Sequence, residues 1–258
     1  MSRSDAIFSP LILLGELVWF GLLAVPATVA SLASPRRWLR QWYGILVGAL
    51  PPGLVAGFAL GAVVWLQTHN ILARSGSEEY LPTALAVAVL LELAPIAAGL
   101  IVAARTGASI GAELGAMKNS EQIDALEMIG ISPRRELVGP RIIGAMLALP
   151  MLHILISALA VGSGYLADTL STGSGWLKYE RACLSELYLG EVLLSGAKTI
   201  VFGGLIGITA CFFGLRSEGG TEGVGRATTI SVVWSMVLVL VADVAMVLAI
   251  QAILASIP

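Results

Sequence analysis

Long uncharged stretches alternate with short polar connections along this chain. A helix of about 20 apolar residues is long enough to cross the hydrocarbon of a bilayer. Five stretches reach that length with at most one or two charges. The pattern predicts membrane-spanning helices over residues 44–68, 81–105, 139–168, 191–215 and 228–256. The prediction is therefore an all-α membrane protein, with residues 1–258 forming a single domain.

A further apolar stretch, residues 9–33, precedes the five predicted spans. It contains Glu16 and Pro26, which interrupt its apolar surface. An amphipathic helix of this kind lies in the plane of the membrane interface. We expect an interfacial helix over 9–33, and a sixth spanning helix is the open alternative.

Composition supports the membrane class. The chain is 57% hydrophobic and 12% charged, whereas soluble domains carry about 25% charged residues. Its mean hydropathy is +0.89. A net charge of −2 gives no reason to expect nucleic-acid binding, and two cysteines do not make a disulfide framework.

Arginine and lysine are distributed unevenly between the two sides that five spans would create. One side collects Arg36, Arg37, Arg40, Arg105, Lys118, Arg134, Arg135, Arg141, Arg216 and Arg226. The other side collects only Arg74, Lys178 and Arg181. Because cytoplasmic loops are enriched in basic residues, the first side is predicted to be cytoplasmic.

The long polar segment on that side begins with a row of small residues. Gly107, Gly111 and Gly115 recur every four residues, with alanines beside them. Such a row lets another helix approach closely. We expect it to serve helix packing.

A short amphipathic helix is predicted next, over 119–130. Asn119 and Gln122 are spaced as in a capping box, and Gly130 ends the helix. Acidic residues step by three along one face, and Ile123, Leu126 and Ile129 step by three along another. Because a short isolated helix is marginal in water, we expect a soluble partner to pack on it.

Three ionisable residues lie inside the predicted spans: Glu92, Lys198 and Asp243. A charge at mid-bilayer costs about 2.5–3.5 kcal/mol on insertion scales, so such residues face the protein interior or a wet cavity. Lys198 and Asp243 are candidates for an ion pair that serves assembly. Glu92, close to the helix kink that Pro95 predicts, is a candidate for a functional role.

Two runs of this sequence resemble the MlaE-type permeases, the membrane subunits of ABC transporters that work with MCE proteins on lipid transport. The first run is ELAPIAAGLIVAARTGASIGAELGAMKNSEQIDALEMIGISPRRELVGPR, residues 92–141. The second is CFFGLRSEGGTEGVGRATTISVVWSMVLVLVAD, residues 211–243. The resemblance implies a homodimer in a bacterial inner membrane. It also implies a cytoplasmic ATPase subunit that holds ATP and magnesium, an MCE-domain protein on the periplasmic side, and a phospholipid substrate.

The resemblance also assigns residues to two roles. The helix over 119–130 matches the family's coupling helix, which fits a groove on the ATPase. The residues it assigns to ATPase coupling are Glu113, Glu121, Gln122, Asp124, Leu126 and Glu127. The residues it assigns to lipid binding are Val64, Gln67, Ile71, Leu72, Leu91 and Glu92. Leu91 stands where the family usually has arginine, so this chain lacks the basic residue beside Glu92.

Two other classes of function were weighed against lipid transport. An intramembrane enzyme is disfavoured because the chain has no HExxH motif and only two histidines. Its GxSxG spelling at residues 107–111 falls in the glycine row of a predicted helix and not at the strand-to-helix turn of a serine elbow, so no catalytic or metal-binding set is predicted. An ion-coupled secondary transporter would use Glu92 and Asp243 as proton sites. The chain also lacks the GxxxxGK[ST] phosphate loop, so ATP hydrolysis would require a separate chain.

Overall fold

The structure is a computed structural model that describes residues 3–173 and 175–255, with side chains for 12–173 and 175–252. The described residues form helices and no β-strand, which confirms the all-α prediction. The α-helices are α1 (Arg3–Ser31), α2 (Pro35–Ser75), α3 (Leu81–Ala88), α4 (Ala94–Val102), α5 (Ala108–Asn119), α6 (Gln122–Met128), α7 (Gly139–Thr172), α8 (Trp176–Leu184), α9 (Leu189–Leu215) and α10 (Gly220–Ala255).

Six helical segments among the described residues are long and apolar enough to cross a membrane. They comprise Ile12–Ser31, Pro35–Ser75, Glu78–Asn119, Arg134–Thr172, Leu189–Leu215 and Gly220–Ala252. Four of them contain predicted spans in full, and the chain is a multi-pass membrane protein. Gly220–Ala252 contains most of the predicted span 228–256, whose last residue lies outside the described residues. The sixth, Ile12–Ser31, has the length and composition of a span, and its interfacial placement stays a prediction.

The helices extend well beyond the spans that hydropathy indicates. The first predicted span covers 44–68, whereas α2 has 41 residues and is about 60 Å long at 1.5 Å per residue. The last predicted span begins at 228, whereas α10 begins at Gly220. A span predicted from hydropathy ends at the first charged residues, but the backbone hydrogen bonds of the helix continue into the polar residues beyond it.

The described residues contain π turns at Val89–Leu93 and Ala103–Gly107, within the second span segment, and at Arg134–Val138, directly before α7. The first lies just before Pro95, where the sequence predicts a kink. Prolines follow the first and third turns, at Pro95 and Pro140. Each of these prolines removes a backbone donor that the helix would otherwise use.

The chain divides into two compact units. The first comprises Met1–Ile45, Val102–Leu147 and Gly203–Val239. Its core includes Ile110, Leu114, Ile142 and Cys211. The predicted glycine row packs here as expected: a Cβ on Gly111 would lie 2.8 Å from Ser231 Oγ, and one on Gly115 would lie 3.2 Å from Ser217 Oγ.

The second unit comprises Leu46–Ile101, Ala148–Phe202 and Leu240–Pro258. In it α2 packs on α7 through a second glycine row, Gly53, Gly57 and Gly61. A Cβ on Gly57 would lie 2.9 Å from the Ile156 carbonyl oxygen. These residues have the GxxxG spacing that is typical of closely packed membrane helices.

Helix α8 lies in the connection between α7 and α9. Its Ala182 carbonyl accepts a hydrogen bond of 2.7 Å from Thr83 Oγ1. Tyr179 and Cys183 are buried on its inner face. Burial raises the pKa of Cys183 to about 11, so this thiol stays protonated at neutral pH.

The α2–α7 packing gives a first prediction. Gly57→Ala is expected to lower the free energy of unfolding by roughly 1–3 kcal/mol, because the added methyl group meets backbone that has to shift. Thermal unfolding of the solubilised chain measures the change.

Gly44→Ala is the matched control on the same helix, since a Cβ there meets nothing within 4 Å. It is expected to leave stability unchanged or to raise it by up to about 1 kcal/mol through helix propensity. Equal losses for the two variants would contradict the packing account.

Candidate functional site

The three ionisable residues that the sequence places inside the spans form one cluster. Lys198 Nζ lies 2.9 Å from Glu92 Oε2 and 3.2 Å from Asp243 Oδ1. Lys198 is 2% exposed and Asp243 is 5% exposed. The pairing of Lys198 with Asp243 was anticipated, but the participation of Glu92 was not.

A cavity of about 220 Å³ opens beside this cluster. Its described lining comprises Leu91, Glu92, Glu191, Leu194, Ser195, Lys198, Val247, Ile250 and Gln251. Lys198 is the only basic residue in that lining, and its ammonium group forms ion pairs with both Glu92 and Asp243. The Glu92 side chain is 45% exposed, so a carboxylate rather than an ammonium group is offered to a ligand.

The remaining residues predicted for lipid binding lie on α2. Val64, Gln67 and Ile71 share one face of the helix, as spacings of three and four require, and Leu72 adjoins it. Gln67 and Ile71 are exposed, whereas Val64 and Leu72 are half-buried. None of the four is among the described residues that line the 220 Å³ cavity.

The π turn Val89–Leu93 carries Glu92 into the cluster. The Ala94 N–H reaches back five residues to the Val89 carbonyl. Ser195 Oγ lies 2.8 Å from the Leu90 carbonyl oxygen, and His153 Nε2 lies 3.1 Å from the same oxygen. Neither His153 nor Ser195 was among the site residues predicted from the sequence.

The predicted coupling helix is shorter than the sequence indicated, and its start is different. The predicted range is 119–130, whereas α6 runs from Gln122 to Met128. The capping box at Asn119 is wrong. Asn119 ends α5, where its Nδ2 donates to the Gly115 carbonyl and to Ser217 Oγ and its Oδ1 accepts from the Gly220 N–H.

Both ends of α6 are set by backbone geometry. Glu121 adopts a left-handed φ of 58° at the start, with no side-chain cap. At the other end Gly130 has a φ of 78°, and the Ile131 N–H donates to the Leu126 carbonyl. This is a Schellman ending, which confirms Gly130 as the terminator.

The faces of α6 differ from a simple two-sided pattern. Ile123 is buried and Leu126 is half-buried, whereas Glu121, Gln122, Asp124 and Glu127 are exposed. Asp124 Oδ1 accepts from Lys118 Nζ at 2.8 Å. Met128 and Ile129 are 87% and 69% exposed, so the apolar stripe is covered only at its start.

Glu113 lies on α5, apart from the acidic face of α6. Its Oε1 lies 2.9 Å from Arg141 Nη2, and the Arg141 side chain is 3% exposed. Arg141 also donates to the Leu137 carbonyl. Within its unit Glu113 therefore neutralises a buried arginine.

These features define a polytopic α-helical membrane protein with a buried charge cluster and an acidic connecting helix. The chain belongs to the MlaE permease family, because the family model described as Permease MlaE matches residues 38–249. Members of this family are the membrane subunits of ABC transporters, so ATP hydrolysis belongs to a separate chain.

Three relatives place the chain within the family. It is 36% identical over 219 residues to a probable ABC transporter permease of Rickettsia typhi, covering 83% of this chain and 85% of the relative. It is 30% identical to the intermembrane phospholipid transport system permease protein MlaE of Haemophilus influenzae, covering 80% and 79%. It is 32% identical to the chloroplastic protein trigalactosyldiacylglycerol 1 of Arabidopsis thaliana, covering 74% and 54%.

The charge cluster gives a second prediction. Lys198→Met is expected to lower the free energy of unfolding by roughly 3–5 kcal/mol, because it leaves Asp243 as a buried carboxylate without a counter-charge. Adding Asp243→Asn to Lys198→Met is expected to restore a large part of the loss. Thermal unfolding of the four members of this double-mutant cycle measures the coupling.

Lys178→Met, at an exposed lysine, is the matched control and is expected to change stability by less than about 0.5 kcal/mol. Additive losses from Lys198→Met and Asp243→Asn would show that the two side chains do not stabilise each other.

Proposed function

We infer that this chain is the permease subunit of an ABC transporter that moves phospholipids or related lipids between membranes, powered by a separate ATPase. The observation that carries this inference is the family match over residues 38–249. The relative in Haemophilus influenzae, described as a permease of intermembrane phospholipid transport, supplies the class of substrate.

The candidate lipid site is proposed at the 220 Å³ cavity and the exposed face of α2. The cavity has apolar walls from Leu91, Leu194 and Val247 and a charged end at Glu92 and Lys198. Apolar walls with a few convergent polar groups are typical of small-molecule sites. Val64, Gln67, Ile71 and Leu72 are proposed to contribute when two copies of the chain assemble as a homodimer.

The proposed docking surface for the ATPase is the acidic face of α6. Glu121, Gln122 and Glu127 are exposed there, and Leu126 is half-covered. The exposed Met128 and Ile129 offer apolar area beside them. A groove with basic walls and an apolar floor on the ATPase would complement this surface.

The remaining parts of the assembly follow from the resemblance. We propose that the chain resides in a bacterial inner membrane, with α6 on the cytoplasmic side and an MCE-domain protein on the periplasmic side. ATP and magnesium are proposed to bind only to the ATPase subunit. No separate observation favours the ion-coupled transporter, in which the Glu92 and Asp243 carboxylates would be proton sites.

Charge reversal on α6 tests the docking surface. The double variant Glu121→Lys, Glu127→Lys is expected to abolish co-purification of the ATPase subunit. ATP-driven lipid transfer between donor and acceptor vesicles is expected to fall at least about tenfold, because like charges then face each other across the interface. The variant leaves the Lys118–Asp124 pair intact.

Glu186→Lys, at an exposed residue outside the spans, is the control and is expected to retain both association and transfer. Normal association in the α6 variant would place the ATPase elsewhere. Lipid transfer by the chain alone, driven by a pH gradient without ATP, would support the secondary transporter.

A further inference from the structure

The Leu90 carbonyl in the second span is left without a backbone donor in either helical register. In an α-helix it would accept from the N–H group of residue 94, and in a π turn from that of residue 95. The Ala94 N–H instead reaches the Val89 carbonyl, and residue 95 is proline, which has no N–H. Because a bilayer offers no water to unpaired backbone groups, side chains have to supply the missing donors.

Two buried side chains on other helices supply them. The Ser195 hydroxyl lies 2.8 Å from the Leu90 carbonyl oxygen and 3.4 Å from the Leu91 carbonyl oxygen. His153 Nε2 lies 3.1 Å from the Leu90 carbonyl oxygen. Since a carbonyl can only accept, His153 carries a proton on Nε2.

The register of this turn decides where Glu92 is directed. Each hydrogen bond of a π turn encloses one residue more than a hydrogen bond of an α-helix. One residue corresponds to a rotation of about 100° around the helix axis. A return to α-helical bonding would therefore turn Glu92 away from Lys198, whose ammonium group it now meets at 2.9 Å.

We propose that Ser195 and His153 are positioning residues, which hold the π turn Val89–Leu93 in the register that directs Glu92 at Lys198. They act on the lipid site through the backbone of the π turn. Their role in lipid binding rests on the proposed transport function.

The third π turn shows the same arrangement independently. There the Gly139 N–H reaches the Arg134 carbonyl, and Pro140 follows it. The freed Arg135 carbonyl oxygen lies 2.9 Å from Ser31 Oγ, whose hydroxyl proton it shares with the Ala27 carbonyl at 2.7 Å. A π turn, a proline and a serine from another helix thus occur together twice in one chain, which indicates that the serine is part of the turn's structure.

Carbodiimide cross-linking of the purified full chain in lipid nanodiscs tests the proposal without the ATPase. The reagent activates a carboxyl group as an O-acylisourea, and a touching amine displaces it, so that an amide forms and the carboxyl oxygen leaves with the reagent as a urea. Lys198 can form this bond with Glu92 or with Asp243, so the ratio of the two products, measured by mass spectrometry, reports the direction of Glu92. Ser195→Ala and His153→Leu are each expected to lower the Glu92 to Asp243 ratio about fivefold, as loss of one hydrogen bond would.

His153→Gln keeps an N–H donor and is expected to retain the wild-type ratio. Ser163→Ala is the matched serine control, because Ser163 Oγ donates only within its own helix, to Ala160. An unchanged ratio in Ser195→Ala and His153→Leu, or equal ratios in His153→Gln and His153→Leu, would overturn the proposal. Absence of ATP-driven transfer by the wild type would overturn the transport function and leave this result standing.

Discussion

The structure depends on the rule that every polar group inside a bilayer has to find its partner within the protein. A helix pairs its own backbone N–H and carbonyl groups. An interruption leaves some of these groups unpaired, so side chains have to form hydrogen bonds with them. In this chain the π turn before Pro95 leaves the Leu90 carbonyl without a backbone donor, and Ser195 and His153 donate to it. The position of Glu92 follows from how that carbonyl is satisfied.

The same rule explains the charge cluster. Lys198 is almost fully buried, and a buried ammonium group without a counter-charge is costly. Two carboxylates surround it, one buried at Asp243 and one partly exposed at Glu92. The buried carboxylate balances Lys198 wherever Glu92 points. Glu92 is therefore the member of the cluster that is free to interact with a ligand as well as with Lys198.

Much of the fold could be predicted from the sequence, because apolar length alone decides which segments span a bilayer. The helix ends could not, since polar residues continue α2 and α10 beyond their apolar centres. The capping box failed for a similar reason. Asn119 has the right residue type and spacing for a cap, but its side-chain amide bonds to Ser217 and Gly220, which are 98 and 101 residues away in the chain. The local sequence pattern contains no information about such partners.

The candidate site shows the same division between local and distant information. Glu92, Lys198 and Asp243 were identified because charge inside an apolar span is rare. Ser195 was not, because a serine in a membrane helix is common and becomes important only when a freed carbonyl lies opposite it. Pro95 was the available signal, since proline removes one backbone donor from the preceding turn. The π register decides that the Leu90 carbonyl is the one left without a donor, and the tertiary structure shows that Ser195, 105 residues further along the chain, donates to it.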